Sequence, residues 1–191
     1  MDAHAVLDLF RNEGALLEGH FRLSSGLHSP GYLQCALVLQ HPAHAAALGR
    51  VLADRARASA PTAVLSPALG GVIIGHEVAR ALGVRALFAE RQDGALVLRR
   101  GFTLGPADRV LVVEDVVTTG KSTRETMEVA RAWGATVVGA AAIVDRGGAA
   151  DLGVPAWTLA AMSLPTYDPS TCPLCARGVP VVKPGSRPAA G

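Results

Sequence analysis

The sequence predicts a doubly wound α/β protein with a mostly parallel central sheet, on three observations. Short aliphatic runs and helix-period segments alternate from residue 62 to about 160, the pattern of a sheet with helices on both faces. Val110-Leu111-Val112-Val113 is an unbroken apolar run of strand length, as expected for a strand covered above and below. Small and acidic residues gather directly behind these runs, and ligands of such sheets bind outside the carboxyl ends of the strands.

Taken in order, Asp2 to Arg11 carries Val6, Leu7, Leu9 and Phe10 as a short amphipathic helix, and Leu16 to Leu23 reads as a strand. Ser24-Ser25-Gly26-Leu27-His28-Ser29-Pro30 then reads as a Ser/Gly/Pro turn. His41 to Ala60 is Ala-rich and helical, with Pro42 suited to the first turn, where a missing N–H leaves no bond unmade. Thr62 to Leu65 is a short strand. The loop Ser66-Pro67-Ala68-Leu69-Gly70-Gly71 follows, then a helix through Ile74, Val78 and Leu82 that ends near Gly83. Gly70 and Gly71 suit either a tight turn or close backbone approach to a ligand.

Val84 to Ala89 is the next strand, closed by Glu90-Arg91. Asp93-Gly94 is a hairpin turn signal between it and Ala95-Leu96-Val97-Leu98, after which come Arg99 and Arg100. Thr136 to Val144 is a buried strand terminated by Asp145-Arg146-Gly147-Gly148, and Val154 to Leu159 is the last one. Beyond Pro165 the chain is rich in Pro and Gly, and the end of the tail to Gly191 reads as flexible.

The most specific stretch is Val110 to Ser122. Glu114 and Asp115 are expected to end the strand abruptly. Val116, Val117, Thr118, Thr119, Gly120, Lys121 and Ser122 lead into a helix, Arg124 to Trp133, on which Met127, Ala130 and Trp133 recur at near-helical spacing. A helix N-terminus presents unpaired N–H groups and the positive end of its dipole, which favours a phosphate. The hydroxyls of Thr118, Thr119 and Ser122 add donors. A phosphate alone would not call for two carboxylates beside it, since like charges repel. Ribose hydroxyls donate to carboxylates, however, and a sugar losing its anomeric leaving group develops positive charge that an acid stabilises. The stretch therefore points to a ribose 5-phosphate. Gly120-Lys121-Ser122 ends as a P-loop does, but that motif needs a glycine at position 115, where Asp115 stands, so an ATPase is rejected.

An aliphatic strand, two acids, two aliphatics and a Thr/Gly-rich loop together resemble the phosphoribosyl pyrophosphate motif of type I phosphoribosyltransferases. Phe21, Leu23, Ser25, Gly26, Ser29 and Pro30 resemble the N-terminal segment of the orotate phosphoribosyltransferases, with Ser24 in place of the family's lysine and Tyr32 and Leu33 in place of its aromatic pair. The resemblance implies a core over about 42–160 under a small hood formed from about 1–41 and 161–191, the whole chain being one domain. It implies transfer of the phosphoribosyl group to orotate, with Glu114 and Asp115 on the ribose and Val116 to Ser122 on the 5-phosphate. Gly70, Gly71 and Arg91 would meet the pyrophosphate, although Gly70 stands where the family often has lysine. Thr118, Arg146, Ser25 and Gly26 would meet orotate. Arg99 and Arg100 would replace the lysines and histidine of the family's mobile loop. Magnesium would be carried on the diphosphate, and a homodimer would share its active sites. A purine phosphoribosyltransferase, or a regulator that binds the diphosphate without turnover, are the alternatives.

Composition narrows the field. The 191 residues carry a formal net charge of only +2, with scattered basic residues, so no nucleic-acid partner is expected. Lys121 and Lys183 are the only lysines, so anion chemistry falls mostly to arginine. No apolar run approaches the roughly 20 residues of a membrane span, and the N-terminus lacks a basic, then apolar leader, so a cytoplasmic protein without a membrane partner is expected. Cys172-Pro173-Leu174-Cys175 is a solitary Cys-x-x-Cys pair. Zinc would need two more ligands, and neither Cys35 nor the upstream histidines lie at a matching spacing. The pair reads as a tight structural turn, with a metal half-site or a labile disulfide as the alternatives.

Overall fold

The computed structural model describes residues 1–23 and 25–183; Ser24, which stands at the family lysine, and the tail beyond Lys183, read as flexible, lie outside them. Helix α1 (Ala3–Asn12) is capped by Asp2, whose carboxylate accepts from the backbone N–H of Ala5 at 2.9 Å. Strands β1 (Leu16–Arg22) and β2 (His28–Leu33) form an antiparallel hairpin. Helices α2 (Cys35–Leu39) and α3 (Pro42–Ala56) follow, the latter closing in a 3-10 turn over Arg57–Ser59. Then come β3 (Ala63–Pro67), α4 (Gly70–Leu82), β4 (Arg85–Gln92), β5 (Ala95–Leu98), β6 (Arg109–Val117), α5 (Lys121–Ala132), β7 (Thr136–Asp145), β8 (Ala156–Ala161) and α6 (Pro173–Ala176).

The main sheet has the order β5-β4-β3-β6-β7-β8, with β5 alone antiparallel to its neighbour. Chain order reverses between β3 and β6, so the carboxyl ends of these two strands flank the topological switch point where such sheets bind ligands. Alternation along the strands sends Val64, Leu111 and Val113 to one face with residues of α1, α3 and α4. Ala63, Leu65, Val110 and Val112 go to the other with Met127 and Ala130 of α5. Helices on both faces explain why β6 is apolar at consecutive positions rather than alternate ones.

Several boundaries differ from the sequence reading. Strand β6 does not stop at the acids but runs through Glu114 and Asp115 to Val117. The reason is β7: Val116 pairs with Val144 and Val117 with Asp145, so the backbone of the acidic stretch keeps ladder partners. Residues 28–30, read as part of a turn, belong to β2; Pro30 is tolerated because a two-stranded ribbon is all edge. Gly70 and Gly71 lie in the first turn of α4 rather than in the loop before it. Helix α2 was not expected, its five residues being too few to show a period. Trp133, expected on the buried stripe of α5, caps that helix and is 42% exposed.

Of the segments expected to form the hood, α1 and α2 bury Val6, Phe10, Val38 and Leu39 in the main core. The hairpin pairs instead with the end of the chain. His28 and Tyr167 exchange two backbone hydrogen bonds, at 2.9 and 2.8 Å, and Val182 bridges His20 and Arg22 at 2.8 and 2.9 Å.

Candidate active site

A cleft of about 100 Å³ opens at the switch point, between the end of β3 and the end of β6. Pro67, Ala68, Gly70 and Gly71 line one side, Glu114, Asp115 and Ser122 the other, and Arg91 and Leu96 close it from the β4–β5 hairpin. The Ala68–Leu69 peptide is cis. Gly70 leaves room for Asp115: a Cβ there would lie 2.8 Å from both carboxylate oxygens of Asp115, so the acid would have to shift. Gly71 is tied in the same way, a Cβ falling 2.9 Å from the Val113 carbonyl oxygen.

The two acids are held differently. Glu114 is buried and accepts hydrogen bonds from the Ser122 hydroxyl at 2.5 Å and from the Thr123 hydroxyl. Burial raises its pKa, while the two hydroxyl donors pull the other way. Asp115 is only part-buried and uses Oδ1 to accept from the N–H of Val116 at 2.9 Å, leaving lone pairs turned to the cleft. Its pKa is also raised, first by burial, against the lowering effect of that N–H. Behind it, the buried Cys35 thiol is pushed well above its ordinary value by burial and then by the charge of Asp115. Tyr32 is shifted upward by the same two causes, weakened by Arg146.

Helix α5 begins at Gly120 in the left-handed region, φ 70°, where a side chain would be strained and a Cβ would meet Leu152 at 2.8 Å. Gly120 has no side chain to cap the helix; the Lys121 N–H reaches the Thr119 hydroxyl at 3.4 Å, and Thr118 and Thr119 are both exposed. Arg124 Nη2 donates to the Thr119 carbonyl at 2.7 Å and braces that loop from behind. At the end of β7, Arg146 is half-buried, its Nε has no hydrogen-bond partner among the described residues, and burial lowers its pKa. A buried guanidinium N–H without an acceptor is a place for an anion.

The phosphoribosyl transferase domain family matches residues 36–152. An orotate phosphoribosyltransferase of Pelotomaculum thermopropionicum is 54% identical over 188 residues, covering 98% of this chain and 99% of the relative. That of Carboxydothermus hydrogenoformans is 56% identical over 182 residues, with 94% and 95% covered. The chain belongs to the orotate phosphoribosyltransferase family. Among solved structures, the orotate phosphoribosyltransferase of Aeropyrum pernix superposes with a TM-score of 0.69 at 29% identity, over 82% of this chain and 93% of that one. The Mycobacterium tuberculosis enzyme in complex with 5-phospho-α-D-ribosyl 1-diphosphate gives 0.67 at 26% identity, over 84% and 96%. As a member of this family the chain is a transferase of pyrimidine biosynthesis, built on the type I phosphoribosyltransferase fold.

Not every residue assigned through the family resemblance lies in the cleft. Glu114, Asp115, Ser122, Gly70, Gly71 and Arg91 do. Ser122 spends its hydroxyl on Glu114, so its backbone N–H is what it offers a phosphate. Arg91 donates to the Gly94 carbonyl at 2.7 Å and to Glu125 at 2.5 Å, which holds it at the cleft mouth. Lys121 is largely exposed, with Nζ 3.9 Å from Glu125. Arg100 forks onto Glu90 at 2.8 and 2.9 Å, and this exposed pair, like Arg99, is outside the lining. Ser25 and Gly26 sit at the tip of the β1–β2 hairpin, where Gly26 donates to the Leu23 carbonyl. Two contributors escaped the sequence reading. Thr123, adjacent to a residue that was singled out, could have been found as one more first-turn hydroxyl; Cys35, 80 residues before Asp115, left no signal.

Proposed function

We propose that this cleft transfers the phosphoribosyl group from phosphoribosyl pyrophosphate to orotate, giving orotidine 5'-monophosphate and pyrophosphate, with Asp115 as the acid that faces the reacting carbon. The observation that carries the assignment is the place of Asp115: part-buried, lining the cleft, and raised in pKa by burial. Such a carboxylate is complementary to ribose hydroxyls and to a cationic anomeric centre, whose charge grows as the leaving group departs. No activated nucleophile is required. Glu114, with both oxygens already accepting hydroxyls of α5, joins the acid strand to the phosphate loop and fixes their spacing, its spare lone pairs being left for the ribose.

The first-turn N–H groups of α5, with Thr118 and Thr119, receive the 5-phosphate. Gly70 and Gly71, bare of side chains, let the diphosphate approach the start of α4, and Arg91 meets it from the other side. Arg146 presents its unmatched guanidinium to the orotate carboxylate, with Tyr32 and Thr118 beside the ring. This arginine favours an acidic pyrimidine over a purine. The donor set also fits magnesium brought by the substrate: the cleft carboxylates Glu114 and Asp115 keep lone pairs, and no three-ligand oxygen cage forms among the described residues. When bound, the ion would neutralise charge on the departing diphosphate.

The reading further takes the chain as a cytoplasmic homodimer in which the loop over 92–102, with Arg99 and Arg100, covers the partner's cleft. Among the described residues no helix is long and apolar enough to cross a membrane. Orotate consumption, followed spectrophotometrically with phosphoribosyl pyrophosphate and with or without magnesium, tests the assignment. Magnesium-dependent loss of orotate is expected. Turnover of adenine or hypoxanthine in its place would move the chain to the purine enzymes, and binding of the diphosphate without turnover of any base would make it a regulator.

A further inference from the structure

Away from the cleft, four side chains that the transfer reaction does not use meet between the β1–β2 hairpin and α6. His20 on β1, His28 on β2, and Cys172 and Cys175 around α6 each bring one ligand atom to within 4.8 Å of all the others. His20 Nε2 lies 2.9 Å from His28 Nδ1, 3.5 Å from Cys172 Sγ and 3.8 Å from Cys175 Sγ, and Cys175 Sγ lies 3.4 Å from His28 Nδ1. Both cysteines are free thiols, not a disulfide. We propose that these four residues are a structural zinc site that fastens the end of the chain to the β1–β2 hairpin.

The separations are those of a coordination sphere. Zinc bonds of about 2.3 Å to sulfur and 2.0–2.1 Å to nitrogen, at tetrahedral angles, place sulfur about 3.5 Å from nitrogen and the two nitrogens about 3.3 Å apart. The three sulfur–nitrogen distances bracket that value. The nitrogen pair is closer by about 0.4 Å, a difference that small side-chain rotations absorb. His20 is also prepared as a ligand. Its Nδ1 lies 2.7 Å from the carbonyl oxygen of Val179, which can only accept, so Nδ1 carries the proton and the lone pair of Nε2 points into the cluster. A backbone carbonyl behind the ring is a usual partner of a metal-bound histidine.

His20, His28 and Cys172 are 3%, 6% and 2% exposed. Buried imidazoles and thiols need partners, and one cation satisfies all four groups at once. Two thiolates and two imidazoles in a tetrahedron select zinc, and four protein ligands leave no open position for chemistry. The role is therefore mechanical. Cys172 and His20 are 152 residues apart in sequence, so the metal would close a very long loop and add its binding energy to folding.

Placement of His20 depends on a β-bulge. Between the pairs Glu18–Gly31 and Phe21–Ser29, β1 advances three residues while β2 advances two, and a bulge of this kind re-aims a side chain. The backbone on either side holds the docking in register, through Tyr167 on His28 and Val182 on His20 and Arg22.

The test uses the full chain, purified under reductant without chelator. Elemental analysis should find about one zinc per chain. Exchange to cobalt should give the visible bands of a tetrahedral ion together with a thiolate-to-cobalt charge-transfer band. Cys175→Ser, at an exposed position, should lose a large part of that band and weaken zinc by more than about a hundredfold in competition with a chelator, beyond what loss of a supporting partner costs. Adding chelator should lower the Tm of the native chain and leave that of Cys172→Ser/Cys175→Ser unchanged. Markedly substoichiometric zinc together with no cobalt spectrum in the reduced protein would overturn the proposal, as would a cobalt spectrum that survives intact in Cys175→Ser. Should that variant not fold, the spectrum of the native chain decides.

Discussion

The switch-point cleft and the cluster between the β1–β2 hairpin and α6 both gather polar side chains, but they leave them in opposite states. At the cleft and the strand end beside it the groups are poorly matched: among the described residues Arg146 Nε is buried without an acceptor, Asp115 carries a charge that burial disfavours, and Gly120 offers the first turn of α5 no side-chain cap. In the cluster each ligand atom faces other ligand atoms, and the His20 ring is anchored from behind by a carbonyl. A site for a passing substrate must keep its donors and acceptors free, at some cost in stability. A site for a resident ion is closed on itself and adds to stability. The contrast can be tested from the cleft side by substitutions that separate turnover from folding.

The largest effect is expected at Asp115. Asp115→Asn keeps the shape and the hydrogen bond from Val116 but removes the charge facing the ribosyl cation. Its kcat should fall by roughly one to three decades with a smaller change in the KM for the diphosphate. Steady-state kinetics with both substrates varied checks this, and unchanged turnover would remove Asp115 from the role. Next is Arg146→Ala, which should raise the KM for orotate by about 10–100-fold, the range of a lost charge-assisted hydrogen bond, while leaving that for the diphosphate nearly constant. Equal weakening of both substrates would make the arginine a structural cap of β7.

A smaller loss, about tenfold, is expected for Arg99→Ala/Arg100→Ala, since Arg100 already has Glu90 as a partner and both lie outside the cleft of their own chain. If the segment acts on a neighbouring subunit, subunit exchange between this variant and Asp115→Asn should recover activity above that of either parent, because one of the hybrid's two clefts has an intact acid pair and an intact loop. No recovery, with exchange verified by mass spectrometry, would place the loop over its own cleft.

The smallest effect is one of stability, and its sign is opposite to the effect on activity. The folded pKa of Asp115 is raised, so between the unfolded and folded values the native state holds more proton than the unfolded chain does. Stability therefore falls as pH rises through that window, and the loss persists at neutral pH. Asp115→Asn removes it. The variant should melt above the native chain at pH 7, and the gap should narrow toward about pH 4, near the ordinary carboxylate value. Thermal melts across that range check it; a lower Tm at every pH would mean that the aspartate holds the fold together.

Much of the molecule was legible in the chain because it is local. Strands β3, β4, β6, β7 and β8 announce themselves as aliphatic runs, and the pairing of acids with a Thr/Gly loop lies within the nine residues from Glu114 to Ser122. A strand end and the helix start behind it are fixed by neighbours in sequence, so composition and spacing suffice to place a phosphate beside a carboxylate pair. What the tertiary structure alone decided involves partners far apart. The strand continues through the acids because β7 supplies hydrogen bonds, and the space beside Gly70 is filled by the carboxylate of Asp115, 45 positions later. The Cys-x-x-Cys pair was visible, but its histidines are eight residues apart on two strands of a bulged hairpin, a spacing that matches no linear metal motif. Burial and coordination depend on distances in space, and those become defined only when the end of the chain folds back onto its beginning.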